Sequence, residues 1–194
     1  NYDPDQLLAK FNSDGSPDNS FGTQGVSIAD FGSIETYYDR VVLNDGEMVQ
    51  LSARDDVSLT FTGLGTFTGP SDYGLVKTNS QGIQNSTAKK FRFANTEFTT
   101  PKVIRKDQEG NLYVLANRTQ PVRSSGYISK HLSGSLALDN TFGTAGKYQI
   151  HGFSGPSEVN CVDVHIDNDG NIFILRNTGN SIVVPFTSGF RIRK

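Results

Sequence analysis

The chain has no tryptophan, one cysteine and one methionine among 194 residues. A single cysteine, Cys161, excludes an internal disulfide framework and a cysteine-rich zinc site. It lies in "EVNCVDVHI", a β-like stretch, where free cysteine reads as core packing rather than as a nucleophile. No apolar run is long enough to span a bilayer and no secretory signal opens the chain, so membrane insertion is not expected. The start at Asn1 instead of Met reads as an excised or processed piece of a longer chain. An excess of one charge is lacking too, since 18 basic and 20 acidic side chains give a formal net charge of −2. That argues against a broad nucleic-acid footprint, which needs a basic face. Helical spacing is also missing, because apolar positions run in blocks or alternate.

What is present suits one turn-rich all-β domain over residues 1–194: 20 glycines, 13 phenylalanines and 7 tyrosines, at 35% hydrophobic content. Two elements recur. "DNSFGTQG", starting at Asp18, returns as "DNTFGTAG" at Asp139. The hairpin "DRVVLNDGEMVQLSAR" returns as "PKVIRKDQEGNLYVLANR" and "NCVDVHIDNDGNIFILRN". Its turn glycines, Gly46, Gly110 and Gly170, lie 64 and 60 residues apart and can take the positive φ of a tight hairpin bend. Phe21 and Phe142 lie 121 residues apart, close to two such periods. A degenerate middle copy, "VKTNSQGIQNSTAKKFRF", keeps a turn at Asn79–Gly82 and loses the Phe-Gly-Thr.

A period in the sixties with four short strands per unit predicts blades of a β-propeller. First strands fall near 38–43, 102–106 and 160–166, and second strands near 47–53, 111–117 and 171–176. Third strands fall near 6–12, 73–79, 127–132 and 182–187, and fourth strands near 25–31, 89–95 and 146–152. Three units result, over about 35–95, 96–153 and 158–194, with residues 1–31 expected to complete the last and close the ring. "NSDGSPDNSFGTQG", and "SGSLALDNTFGTAG" with a one-residue insertion, resemble the delta-sixty repeat family, bacterial propeller-type repeats of secreted and surface proteins. The resemblance covers most of the chain and implies an extracellular or cell-surface location. It brings no catalytic residue.

Several motifs invite chemistry and give way to plainer readings. "DNDGN", with Asp167, Asp169 and Asn171, opens like a calcium loop, but the closing acid is replaced by Thr178, so a hairpin turn is expected and no metal or cofactor. His131, His151 and His165 have no ligand spacing and read as surface or satisfied core residues. "GLGTFTG" lacks the lysine and helix of a phosphate loop. "STAKKFRF" and "FRIRK" read as solvated strand faces.

The stretch 53–74 is about twice as long as its counterpart "NRTQPVRSSGY" and is expected to be a functional loop. On the propeller face where second-to-third and fourth-to-first strand connections emerge, Tyr37, Tyr38, Arg54, Phe67, Tyr73, Arg118, Arg123 and Phe153 are the candidate ligand contacts. Aromatic planes and guanidinium forks suit glycans and protein surfaces. A non-catalytic recognition module follows, the distal domain of a bacterial surface protein, a fibre or a phage tail fibre, binding a target-cell glycan or envelope protein. The alternatives are a polysaccharide-active enzyme drawing on Asp55, Asp56, Asp72 or Glu158, and a structural spacer. A homo-oligomer is expected to bury open sheet surfaces, a trimer ahead of a dimer.

Overall fold

A computed structural model describes residues 5–32, 35–54, 57–61, 65–69, 72–93, 98–119, 124–150, 158–179 and 190–192. The fold is all-β: the described residues form fifteen strands in five antiparallel sheets and no helix, so none that could cross a membrane. Strands β1 (Gln6–Ala9) and β2 (Val26–Ala29) form a two-stranded sheet. Next come β3 (Glu35–Val42), β4 (Met48–Arg54), β5 (Val57–Phe61), β6 (Gly65–Gly69), β7 (Asp72–Thr78) and β8 (Lys89–Arg92). Of these, β3-β4-β7-β8 make one sheet and β5-β6 another. Strands β9 (Phe98–Lys106), β10 (Leu112–Thr119), β11 (Ser124–His131) and β12 (Lys147–Ile150) form the second four-stranded sheet. Strands β13 (Glu158–Ile166), β14 (Ile172–Gly179) and β15 (Phe190–Ile192) form a three-stranded one.

The recurring hairpin folds the same way three times. Leu43, Asp107 and Asp167 each donate their N–H to the residue four on, and each accepts from the glycine three on, at 2.7–3.2 Å. Gly46, Gly110 and Gly170 have φ of 81°, 86° and 75°. Each hairpin carries a bulge at the same place, where the register skips Tyr38, Lys102 and Val162. Only a Ser133 oxygen, at 3.6 Å, would meet a Cβ on Gly110, so backbone strain alone sets the cost there. Gly110→Ala is therefore expected to lose about 1–2 kcal/mol in urea unfolding, with an unchanged midpoint refuting a left-handed turn.

The "DNSFGT" and "DNTFGT" elements are also superposable in their bonding. Phe21 N–H reaches Asp18 O and Phe142 N–H reaches Asp139 O, both at 2.9 Å. The Asp18 and Asp139 carboxylates accept from Ser20 and Thr141, and pair with Lys10 and Lys130. Glycine is needed at 22 and 143 because a Cβ would run into the backbone oxygen of Val26 at 1.9 Å and of Lys147 at 2.2 Å.

Sheets stack face to face. The "LYVLA" strand at 112–116 is buried on both sides, which explains its unbroken apolar run. Leu112 and Val114 pack with Val49, Leu51 and Leu75, while Tyr113 and Leu115 pack with Cys161, Ile172 and Ile174. The first strands β3, β9 and β13 lie together, where Arg105 reaches Asp39 at 2.6 Å and Asp163 at 2.9 Å and so links three sheets.

Two expectations change. Within the expected long loop, residues 57–61 and 65–69 are paired strands, with Val57, Leu59 and Phe61 alternating with polar residues along β5. Among the described residues, β1 and β2 pair with each other and not with the last sheet. β15, at 190–192, pairs beside β14, and the third strand expected near 182–187 lies outside the described residues. The β1–β2 sheet packs Ala29 and Phe31 on Val76 and sets Phe21 against Gly82.

Candidate functional site

β4 ends at Arg54 and β7 begins at Asp72, and between them the chain forms the β5–β6 ribbon, two five-residue strands of about 17 Å each at strand rise. β5 and β6 pair with each other in a two-stranded sheet of their own. At its base the register aligns Glu35 with Arg54, Arg54 with Asp72, and Asp72 with Arg92, a row of alternating charges across four strands. Arg92 clamps the Asp72 carboxylate with Nε and Nη2, the latter at 2.9 Å. That two-pronged grip engages both carboxylate oxygens of Asp72.

The sequence-selected residues divide. Arg54 is the last residue of β4 and Phe67 the middle residue of β6, and the side chains of both lie outside the described residues. Tyr37, on β3 two residues from that base row, is 43% exposed, and partial burial raises its phenol pKa against the pull of nearby Arg40. Tyr38, at the bulge, is half-buried against the core. Asp55, Asp56, Arg123 and Phe153 lie outside the described residues, as does the Glu158 side chain.

Tyr73 is not on the face. Its ring is fully buried, stacked between Phe91 and Phe93 at 5.4 and 5.1 Å. Its hydroxyl bonds Ser129 Oγ at 2.9 Å and His131 Nε2 at 3.0 Å. The physical reason is alternation: Tyr73 and Leu75 share one side of β7, and that side packs on the next sheet. The ladder continues outward, with Phe93 stacked on Tyr127 at 4.9 Å and the Tyr127 hydroxyl 3.5 Å from Arg118 Nη1. Arg118 thus sits half-buried at the mouth of an aromatic column whose other rungs, Phe91, Phe93 and Tyr127, sequence reading missed. Alternation along β8 and β11 was the available signal.

Other reactive side chains have structural partners. Burial pushes the Cys161 thiol up to about 11, which keeps it protonated and unreactive near neutral pH. Both Asp167 carboxylate oxygens accept from the turn, Oδ1 from the Asp169 and Asn171 N–H groups and Oδ2 from Asn171 Nδ2. An open groove of about 710 Å³, lined by Asp30, Phe31, Gln84, Asn85, Ser86 and Thr87 among others, runs between the end of β2 and the approach to β8. Its Gln84 amide bridges to the Asp30 backbone at 3.0 and 3.2 Å. Compared with known protein families, curated proteins and solved structures, the chain gives no match.

Proposed function

We propose that this chain is a non-catalytic recognition module built as propeller-type blades, as its resemblance to delta-sixty repeats implies. It acts at a bacterial surface or on a fibre tip, extracellularly, and binds a target-cell glycan or envelope protein. Two features support the blade reading: the identical hairpin turns, 64 and 60 residues apart, and the gathering of β3, β9 and β13 around Arg105. The observation that carries the binding reading is the β5–β6 ribbon, an extra two-stranded sheet inserted between the paired ends of β4 and β7, with Phe67 in the middle of β6. The equivalent connection between β10 and β11 spans only 120–123. A structural spacer has no use for such an arm.

The test is to replace residues 57–69 with Asn-Gly, which keeps the β4–β7 pairing closed by a tight turn. Binding of the labelled protein to whole target cells and to an immobilised glycan array should fall at least tenfold, while the thermal midpoint moves by only a few degrees. Phe67→Ala should weaken attachment by about 1–3 kcal/mol if the ring is an anchor. Undiminished attachment by the shortened protein defeats the reading, and attachment by neither protein favours the spacer.

A further inference from the structure

Each internal sheet has two buried sides, one toward the sheet before it and one toward the sheet after it. On the following side, the hairpin turns align Val49, Tyr113 and Phe173, and likewise Leu51, Leu115 and Leu175. The first two of each set are at most 1% exposed and packed against the next sheet, but Leu175 is 61% exposed and Phe173 37%. On the preceding side, Lys10, Lys77 and Lys130 occupy one position, since their carbonyls accept from Asp18, Asn85 and Asp139. Leu7 therefore matches Gly74 and Tyr127, and Phe11 matches Thr78 and His131. Those four are buried, with Gly74 under Phe31 and Tyr127 under Phe93, whereas Leu7 is 72% exposed and Phe11 61%. Ile28, the cross-strand partner of Leu7, is exposed beside it.

We propose that a second copy of this chain covers these two faces, head to tail. The Phe173–Leu175 side of one copy packs on the Leu7–Phe11–Ile28 side of the other, and the second pair of faces closes the ring. The pairing continues the two internal interfaces, which join these same strand sides between successive sheets. Its stoichiometry rests on the propeller reading above. One copy stacks four sheets, those of β1-β2, β3-β4-β7-β8, β9 to β12, and β13 to β15. Two copies make eight, the upper end of the usual four to eight blades, whereas three copies overshoot it. This two-copy ring replaces the trimer favoured by sequence. Both faces must be satisfied by unlike partners, a heterologous contact.

Light scattering of the full chain at about 50 μM should give twice the 21.2 kDa chain mass. L175E and L7E, each at an exposed position, should each give the single-chain mass with unchanged thermal midpoints. If either variant unfolds, F173S and I28S replace them. An equimolar mixture of the two single-face variants should recover two-chain particles, because each contributes one intact face. A wild-type monomer, a ladder of growing masses, variants that stay dimeric, or a mixture that stays monomeric overturns the proposal. None of these outcomes bears on the recognition reading, which is scored on cell attachment.

Discussion

The Tyr73→Ala variant should lose about 3–5 kcal/mol of unfolding free energy, the usual cost of emptying a large buried aromatic site. Tyr73 is fully buried between two sheets and touches three rings: Phe91, Phe93 and, edge-on at 5.8 Å, His131. Truncation removes the stacking partner of both phenylalanines and leaves a void that β7 and β11 cannot close without breaking their ladders. It also takes away the hydroxyl that bonds Ser129 and His131. Tyr73→Phe separates these effects. It keeps the ring, and Ser129 and His131 still face one another at 3.1 Å, so its loss should be about 1–3 kcal/mol. Domains typically hold only about 5–15 kcal/mol in all, so the alanine variant sits near the edge of folding. Urea unfolding measures both variants. A loss below 1 kcal/mol for Tyr73→Ala would put the residue back at the surface. Attachment lost in this variant reports on folding, so it says nothing about a binding face.

That Tyr73 read as a surface anchor shows where sequence and structure part. The turns were legible because they are local: a glycine at a fixed offset after a short polar stretch dictates its own backbone, and Gly46, Gly110 and Gly170 all have φ > 0. Strands next to those turns were legible for the same reason, and β4, β10 and β14 begin at residues 48, 112 and 172. Which side of a strand meets the core is a tertiary matter. Tyr73 was placed by its position at the end of a long connection, yet the period-2 pattern Tyr73, Leu75 already pointed inward. The β5–β6 hairpin was overlooked because length outweighed the alternation in "VSLTF". β15 could not be read at all. "FRI" is a three-residue strand fixed by a tertiary contact, the pairing of Ile192 with Ile172. The charge row Glu35, Arg54, Asp72, Arg92 draws on four strands, and only their register makes it a row.

Acid should destabilise this fold in two separate steps, and the upper one belongs to His131. Its Nδ1 lies 3.0 Å from the Leu136 carbonyl, which can only accept, so Nδ1 carries the hydrogen. Nε2 is then a lone pair facing the Tyr73 and Ser129 hydroxyls. Burial lowers the imidazole pKa from 6.5 to about 4, the Leu136 carbonyl opposes that shift, and the charge of Lys147 adds to it. The unfolded chain therefore takes up a proton as pH falls through 6.5, while the folded chain declines it until about 4. Stability is full above 6.5, falls across that window and levels off below it. The total is about 3 kcal/mol, from about 1.36 kcal/mol per pH unit. The lower step has the opposite origin. Asp18 and Asp139 are held below the ordinary carboxylate range, chiefly by Lys10 and by Thr141 respectively, so what they contribute is lost only below about pH 4. Urea unfolding at pH 7, 5.5 and 4.5 should show the upper step in the native chain. His131→Gln should start lower at pH 7 and then run nearly flat to pH 4.5, because glutamine does not titrate. Parallel pH profiles for the two proteins would mean that His131 takes up its proton inside the fold as readily as outside it.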